Sequence, residues 1–207
     1  MYQSVIKRVL DAMSAILALI VLLVPMILIA GWVKLDSRGP ALFKQLRSGK
    51  DKRPFTVYKF RTMSIDAPKD SPTTDFKDSG NYITRSGKIM RKLSLDELPQ
   101  FFNVLRGDMS LIGPRPVVLK ETKLLELRDE LNVNRIKPGI TGWAQVNGRD
   151  TMGDTVKAQH DAHYANNIGI VIDIICVIKT VWAVISVKGH QEGHEQSKSD
   201  KLMISEG

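Results

Sequence analysis

The longest apolar stretch of the chain lies close to its N-terminus. Residues 12–33 are 22 consecutive positions without a charged side chain, and as a helix they would reach roughly 33 Å, enough to cross the core of a bilayer. The run is long for the apolar part of a cleaved signal peptide, and no clear small-residue cleavage site follows it before Lys34. The pattern predicts a membrane anchor over residues 1–35.

Two features of this anchor favour a helix that enters the bilayer and returns. Lys7 and Arg8 precede the apolar run, while Lys34 and Arg38 follow it, and the positive-inside tendency would keep both basic ends on the cytoplasmic side. Pro25 lies near the middle, where its ring and missing N–H disturb a straight helix and predict a kink. The sequence predicts a kinked, re-entrant helix, and a straight single span stays open as the alternative.

The pattern changes to strands after the anchor. Residues 41–47 and 55–62 predict two short strands, separated by a turn that contains Gly49. Because side chains alternate along a strand, Lys59 and Arg61 leave the second strand on the same surface. The sequence predicts a short β-hairpin that presents two cations on one face.

Helical patterns dominate the middle of the chain. Residues 64–81 are rich in polar residues and proline and predict a loop, whereas residues 86–93 predict a short helix. The tetrapeptide Ser94-Leu95-Asp96-Glu97 matches a capping box, which would place both acidic residues in the first turn of a second helix. The predicted apolar stripe of that helix consists of Leu98, Phe101, Phe102 and Leu105.

The last apolar segment covers residues 169–187, where the only charged residues are Asp173 and Lys179. Its pattern leaves open a second membrane span or a helix that lies on the membrane surface. Residues 188–207 are polar and irregular, which predicts a tail. The predicted fold is therefore α+β and mostly helical, with a single domain over residues 36–187 between the anchor and the tail.

The charge of the chain indicates an anionic partner. The formal net charge is +8, and residues 34–64 supply +7 of it. Lipid headgroups, a phosphorylated substrate and nucleic acid would all fit such a surface. No recognised nucleic-acid motif or paired aromatic platform is present, so we expect no nucleic-acid partner. The single cysteine, Cys176, excludes an intramolecular disulfide and fits a reducing cytoplasmic setting.

Asp96 and Glu97 are the strongest candidates for chemistry. Acidic residues in a first helical turn are common because the helix dipole stabilises them, so a purely structural role stays open. Adjacent carboxylates can also divide labour, one attacking an electrophilic phosphorus while the other holds a divalent cation. Phosphates need cations to bind, and the candidate donors are Lys59, Arg61, Arg91, Arg115 and Arg149.

Two rigid loops supply some of these donors. Arg115 stands between Pro114 and Pro116, which would aim its side chain. Residues 138–149 form a glycine-rich loop that could bring backbone amides and Arg149 near a phosphate. This loop lacks the Gly-Lys-Ser/Thr ending of a Walker motif.

Five motifs together resemble a known family. They are Lys59-Phe60-Arg61-Thr62-Met63, Leu93-Ser94-Leu95-Asp96-Glu97-Leu98-Pro99-Gln100, Asn103-Val104-Leu105-Arg106-Gly107-Asp108-Met109-Ser110, Gly113-Pro114-Arg115-Pro116 and Pro138-Gly139-Ile140-Thr141-Gly142. In this order, over about residues 2–186, the chain resembles the bacterial sugar transferases. These are monotopic phosphoglycosyl transferases, which initiate the assembly of surface glycans.

The resemblance implies a ping-pong reaction. Asp96 would attack the sugar-bearing phosphate of a UDP-sugar, UMP would leave, and polyprenol (undecaprenyl) phosphate would take the phosphosugar from the covalent intermediate. Glu97, with Asp96 beside it, would help to bind Mg²⁺, Arg115 would contact the nucleotide or its phosphates, and Lys59 would belong to the active site. Motif position and charge add four residues that would bind substrate, namely Arg61, Arg91, Gln145 and Arg149.

The resemblance also implies a location. The family's membrane helix is re-entrant and broken at a Ser-Pro pair, which here reads Val24-Pro25, and amphipathic helices, including residues 169–187, would lie at the interface. The protein would act on the cytoplasmic face of the bacterial inner membrane. It would perform the first membrane step of exopolysaccharide, capsule or glycoconjugate synthesis, ahead of downstream glycosyltransferases. The alternative is a non-enzymatic, basic membrane-surface adaptor, and the sequence does not identify the sugar.

Overall fold

The structure is a computed structural model that describes residues 2–67, 79–148 and 152–185. Arg149, the greater part of the predicted 64–81 loop and the predicted tail over 188–207 lie outside these residues. The predicted mostly helical chain with one short antiparallel hairpin is confirmed. The helices and strands are α1 (Lys7–Asp36), β1 (Leu42–Ser48), β2 (Pro54–Phe60), α2 (Ser79–Tyr82), α3 (Arg85–Lys92), α4 (Gln100–Arg106), β3 (Ser110–Ile112), α5 (Thr122–Glu130), β4 (Gly139–Thr141), α6 (Trp143–Asn147), α7 (Asp154–Asn166) and α8 (Ile170–Ile185).

Helix α1 is one continuous helix that includes Pro25. Among the described residues it is the one helix long and apolar enough to cross a membrane. A proline inside a helix removes one backbone hydrogen bond, yet helical structure continues on both sides of Pro25. The depth of a bend at this residue stays a prediction.

Both ends of α1 contact the rest of the protein. Near its start, Ala15 is fully buried against Val104 and Met109. Near its end, Val33 is fully buried in a second cluster that contains Met90. Between these two contacts α1 exposes a large apolar surface, made of Ile16, Leu17, Ile20, Val21, Leu23, Val24, Ile27 and Leu28.

Polar contacts fix the start of α1. The guanidinium of Arg8 donates to the carbonyl oxygens of Val104 at 2.6 Å and Leu105 at 2.8 Å. The carboxylate of Asp11 accepts from the backbone N–H of Leu111 at 3.1 Å. The bonds from Arg8 thus reach carbonyl oxygens in the last turn of α4, where helical partners run out.

Other polar contacts fix the end of α1. Arg61 donates to the carbonyl oxygens of Ser37 at 2.7 Å and of Arg38, so it caps the last turn of the helix. Asp36 accepts from both the backbone N–H (3.0 Å) and the hydroxyl (2.8 Å) of Ser86, at the start of α3. The membrane-anchor candidate therefore ends in direct contact with the hairpin and with α3.

The N-terminal and C-terminal helices are joined by a buried ion pair. The ammonium of Lys7 lies 2.7 Å from a carboxylate oxygen of Asp173, and only about a tenth of either side chain is exposed. The hydroxyls of Tyr2 (2.6 Å) and Tyr164 (2.7 Å) donate to the same carboxylate. This cluster holds α8 against the start of α1, and the neighbouring Cys176 is fully buried.

We expect Asp173→Asn to destabilise the protein by about 3 kcal/mol or more, because it leaves the Lys7 ammonium buried without its counter-charge. The measurement is chemical unfolding in detergent. Asp129→Asn is the matched control, since the Lys52–Asp129 pair is about half exposed and such pairs contribute about 1 kcal/mol or less. Equal losses for the two variants would contradict a structural role for the buried pair.

The hairpin agrees with its prediction to within two residues at each end. Strands β1 and β2 are antiparallel, with Leu42 opposite Phe60 and Ser48 opposite Pro54. A second, parallel pair joins β3 to β4. Here the two segments approach so closely that a Cβ atom on Gly142 would lie 2.0 Å from the carbonyl oxygen of Gly113. Only glycine fits this contact, which holds the Arg115 loop against the glycine-rich loop.

The predicted capping box at Ser94 is wrong. Ser94 has a left-handed backbone conformation (φ 55°) and makes no capping hydrogen bond, and Leu95–Glu97 forms a separate 3₁₀ turn. Helix α4 begins only at Gln100. A helix opened by Ser94 would need residue 99 to donate its N–H to the carbonyl of Leu95, and Pro99 has no N–H.

The predicted apolar stripe of α4 is also only partly correct. Phe102 and Leu105 are 45% and 38% exposed, whereas Asn103 and Val104 are fully buried. Asn103 is buried because its side-chain amide bonds to strand β2, donating to the carbonyl of Thr56 at 2.7 Å and accepting from the N–H of Tyr58 at 3.1 Å. A polar residue thus faces the core, and two apolar ones face outward.

Candidate active site

The predicted site residues meet in one cavity of about 740 Å³, a size typical of small-molecule sites. Seven of the eight line it, and the eighth, Arg149, lies outside the described residues. The seven are Lys59, Arg61, Arg91, Asp96, Glu97, Arg115 and Gln145.

The two carboxylates enter the cavity from the 3₁₀ turn Leu95–Glu97. Asp96 is 9% exposed. One carboxylate oxygen of Glu97 accepts from Lys59 Nζ at 2.7 Å and lies 3.1 Å from a guanidinium nitrogen of Arg115. The Glu97 side chain thus contacts both the hairpin and the loop after β3. Asp96, its neighbour in the chain, is the second acid of the site.

The two acids differ in their pKa values. Burial raises the pKa of Asp96, and the negative Glu97 adds to this, although Lys59, Arg115 and Arg91 oppose it. Burial alone would raise the pKa of Glu97 too, but Lys59 and Arg115 outweigh it and hold that pKa well below its usual range. Glu97 is therefore the permanently ionised partner, and Asp96 is the acid whose charge depends on its surroundings.

A buried ion pair supports the backbone of Arg115. The guanidinium of Arg128 donates to the backbone carbonyl of Arg115 at 3.1 Å. Arg128 in turn pairs with Asp161 of α7 at 2.6 Å and 2.9 Å, with 5% and 2% of the two side chains exposed. The rigid loop that the two prolines predict is thus fixed by α5 and α7 as well.

The remaining predicted residues have different surroundings. Arg61 reaches the cavity, but its guanidinium is occupied by the end of α1. Arg91 donates to the hydroxyl of Thr62 at 3.0 Å. Gln145 donates to the carbonyl of Ile140 at 3.1 Å, and its buried amide oxygen has no hydrogen-bond partner among the described residues. Substrate binding by all three stays a prediction.

Comparison with known proteins identifies the family of the chain. Residues 2–187 match the family model described as "Bacterial sugar transferase". The chain belongs to the bacterial sugar transferase family. Membership confirms the family that the sequence predicted and the prediction that the protein is an enzyme. It disfavours the alternative of a non-enzymatic adaptor.

Three relatives show how far the similarity extends. The "Uncharacterized sugar transferase EpsL" of Bacillus subtilis is 40% identical, over 91% of each chain. The "Exopolysaccharide production protein ExoY" of Sinorhizobium fredii is 36% identical, over 88% of this chain and 87% of that protein. The "UDP-N-acetylgalactosamine-undecaprenyl-phosphate N-acetylgalactosaminephosphotransferase" of Aeromonas hydrophila is 39% identical over 87% of this chain, which spans 44% of that protein's length.

Arg47 of this sugar transferase is a cavity residue that sequence reasoning missed. It lines the cavity with Gln45, to whose amide oxygen it donates at 2.6 Å, and it also donates to the carbonyl of Pro116 at 3.3 Å. Burial is the main cause that lowers the pKa of Arg47 to about 10, with a further contribution from the nearby positive Arg115, while Glu121 opposes the shift. Strand alternation in β1 would have placed Gln45 and Arg47 on one face, had it been applied there as it was to β2.

The acid pair of the sugar transferase also fits the predicted magnesium ion. The described residues contain no cluster of three or more His, Cys, Asp or Glu side chains. Mg²⁺ usually takes one or two carboxylates and completes its shell with water and substrate phosphates. Asp96 and Glu97 match that donor set, so the site suits an ion shared with a substrate.

Proposed function

We propose that the protein transfers a phosphosugar from a UDP-sugar to a polyprenol phosphate, releasing UMP, through a covalent intermediate on Asp96. The observation that supports this most directly is the cavity itself, in which a buried aspartate lies among Lys59, Arg91 and Arg115. A carboxylate in such a setting can act as a nucleophile toward a diphosphate whose charge the cations offset. The name of the Aeromonas relative, which joins a UDP-sugar to undecaprenyl phosphate, supports the same substrates.

The proposed reaction has two steps. A carboxylate oxygen of Asp96 forms a bond to the sugar-bearing phosphorus, and the bond from that phosphorus to the UMP oxygen breaks. A phosphate oxygen of the polyprenol phosphate then attacks the same phosphorus, and the bond to Asp96 breaks. Lys59 and Arg115 would bind phosphate oxygens, and Arg115 would also contact the leaving UMP.

Magnesium would be held by Asp96 and Glu97. When bound, the ion would offset phosphate charge and favour the ionised form of the neighbouring carboxylates. Glu97 would retain its contacts with Lys59 and Arg115, which orient its second oxygen. The ionised form of Asp96 is the one that attacks, and Lys59, Arg115 and Arg91 favour that form against the effect of burial, which raises the pKa of Asp96.

The two half-reactions give a direct experiment. The purified protein is incubated with a panel of UDP-sugars without lipid acceptor, UMP is quantified, and the intact mass of the protein is measured. We expect one UDP-sugar at least to release UMP in an amount equal to the protein and to add the mass of its phosphosugar. UMP release without an added mass would contradict the covalent intermediate.

We further propose that α1 is re-entrant and that the protein lies on the cytoplasmic face of the bacterial inner membrane. A straight span would carry the two ends of α1 to opposite sides of the bilayer, yet Ala15 and Val33 are both buried against the same domain. The exposed apolar residues between them would then enter one leaflet. The exposed apolar face of α8, with Ile174, Ile178 and Trp182, would lie at the interface beside them.

Single cysteines placed at Gln3 and Arg38, in a variant with Cys176→Ala, test this topology. A membrane-impermeant thiol reagent added to intact cells is expected to label neither position, and both should react after the membrane is permeabilised. The physical reason is that a returning helix leaves both ends on one side. Labelling of Gln3 alone from outside would show a span instead.

The name of the Sinorhizobium relative supports a role in exopolysaccharide production. We propose that this protein performs the first membrane step of such a pathway. Its lipid-linked product would then be the substrate of downstream glycosyltransferases.

A further inference from the structure

The cavity differs in chemistry along the length of the hairpin. Leu42 and Arg47 both line it from β1, and the five residue steps between them span roughly 17 Å of extended strand. At the Arg47 end lies the Arg115 loop, through the bond from Arg47 to the carbonyl of Pro116. At the Leu42 end three apolar residues line the cavity, namely Pro40, Leu42 and Phe43. Lys44 follows them on β1, and Lys59 lies opposite Phe43 on β2.

The apolar end of the cavity adjoins surfaces suited to lipid. Pro40 follows the last residue of α1 by four positions, and Leu35 in the last turn of α1 is 90% exposed. Leu42 and Val184, which is near the end of α8, both line the cavity, and each is 39% exposed. Ile65, a further lining residue, is 51% exposed. Apolar side chains thus continue from the cavity wall to the outer faces of α1 and α8.

We propose that this apolar end receives the first isoprene units of the polyprenol phosphate acceptor. The inference rests on the proposed function, and it adds the path by which the acceptor reaches Asp96. A polyprenol phosphate has one charged group on a long apolar chain, so its phosphate must reach the cations while its chain stays out of water. An apolar wall that is continuous with lipid-facing surface meets both requirements.

Exposed leucines on β1 provide a matched pair for the test. Leu42 lines the cavity, whereas Leu46, on the same strand and 55% exposed, does not. In detergent, where membrane binding does not limit the reaction, Leu42→Asn is expected to raise the KM for undecaprenyl phosphate roughly tenfold, because an apolar contact is lost. UMP release from UDP-sugar alone should persist in this variant, and Leu46→Asn should resemble the unsubstituted protein in both measurements.

Valines on α8 give an independent pair. Val184 lines the cavity, and Val181, three residues earlier and 51% exposed, does not. Val184→Trp should narrow the cavity where it meets the exposed face of α8 and raise the same KM, while Val181→Trp should leave it unchanged. The Val184 and Val181 variants test the acceptor path even if Leu42→Asn does not fold.

The possible results separate the two proposals. Equal acceptor KM values within each pair, with normal UMP release, would overturn the acceptor path and leave the proposed reaction standing. No UMP release from the unsubstituted protein would overturn the proposed reaction and the acceptor path with it. An altered acceptor KM in Leu42→Asn and Val184→Trp, but not in their controls, would support the path.

Discussion

Asparagine in place of Asp96 is expected to abolish both UMP release and the covalent phosphosugar adduct, lowering turnover by roughly 10³-fold or more. The amide has nearly the shape of the carboxylate but cannot form the bond to phosphorus. Stability should not fall, because Asp96 is buried and burial opposes its charged form. The loss would therefore report on chemistry and not on folding.

The measurement is the acceptor-free reaction with the active UDP-sugar, followed by UMP assay and intact mass. Asp108→Asn is a suitable control, since Asp108 is a partly exposed aspartate that does not line the cavity. It should retain the adduct. An Asp96→Asn protein that still forms the adduct would remove Asp96 as the nucleophile.

Glutamine in place of Glu97 is expected to lower turnover by roughly 10²-fold and to raise the magnesium concentration needed for half-maximal activity. Glu97 is kept ionised by Lys59 and Arg115, so the substitution removes a full charge at any working pH. It also leaves those two cations facing each other. The Lys59 and Glu97 side chains are only 22% and 16% exposed, whereas that of Arg115 is 37% exposed, so we expect stability to fall by about 1 to 3 kcal/mol.

A magnesium titration of UMP release, with thermal unfolding of the same samples, checks this expectation. Glu121→Gln is the control, because Glu121 lies 3.9 Å from Arg47 but does not line the cavity. It should leave the magnesium requirement unchanged. If Glu97→Gln lowered stability severely and kept its magnesium dependence, Glu97 would be a structural residue and not a metal ligand.

Sequence patterns predicted the elements best where one physical signal dominated. The long apolar run predicted α1, and strand alternation with a glycine turn predicted the hairpin within two residues. The capping box failed because a local motif at Ser94 was contradicted by Pro99, whose missing N–H moved the start of the helix to Gln100. The apolar stripe of α4 failed because burial there is decided by partners, and Asn103 has its partners in β2.

The sequence was enough to identify the residues suited to the chemistry of the site. It could not show which of their side chains contact each other. Asp96, Glu97 and the cations stood out as residues suited to phosphate chemistry. The sequence could not show that Lys59 and Arg115 share one oxygen of Glu97, that Arg61 is occupied by the end of α1, or that Arg47 belongs to the cavity. Such contacts join residues that are far apart in the chain, and local patterns contain no information about them.

By itself, the sequence determined the family, the apolar anchor, the hairpin and the acidic pair, because each depends on local composition and on residue order. The tertiary structure alone decided that both ends of α1 pack against other segments of the described chain and that one acid is fixed as a charge while its neighbour is not. Those outcomes depend on burial and on distances between segments. Both are properties of the folded chain, since a side chain's solvation and its nearest charges exist only after distant segments have come together.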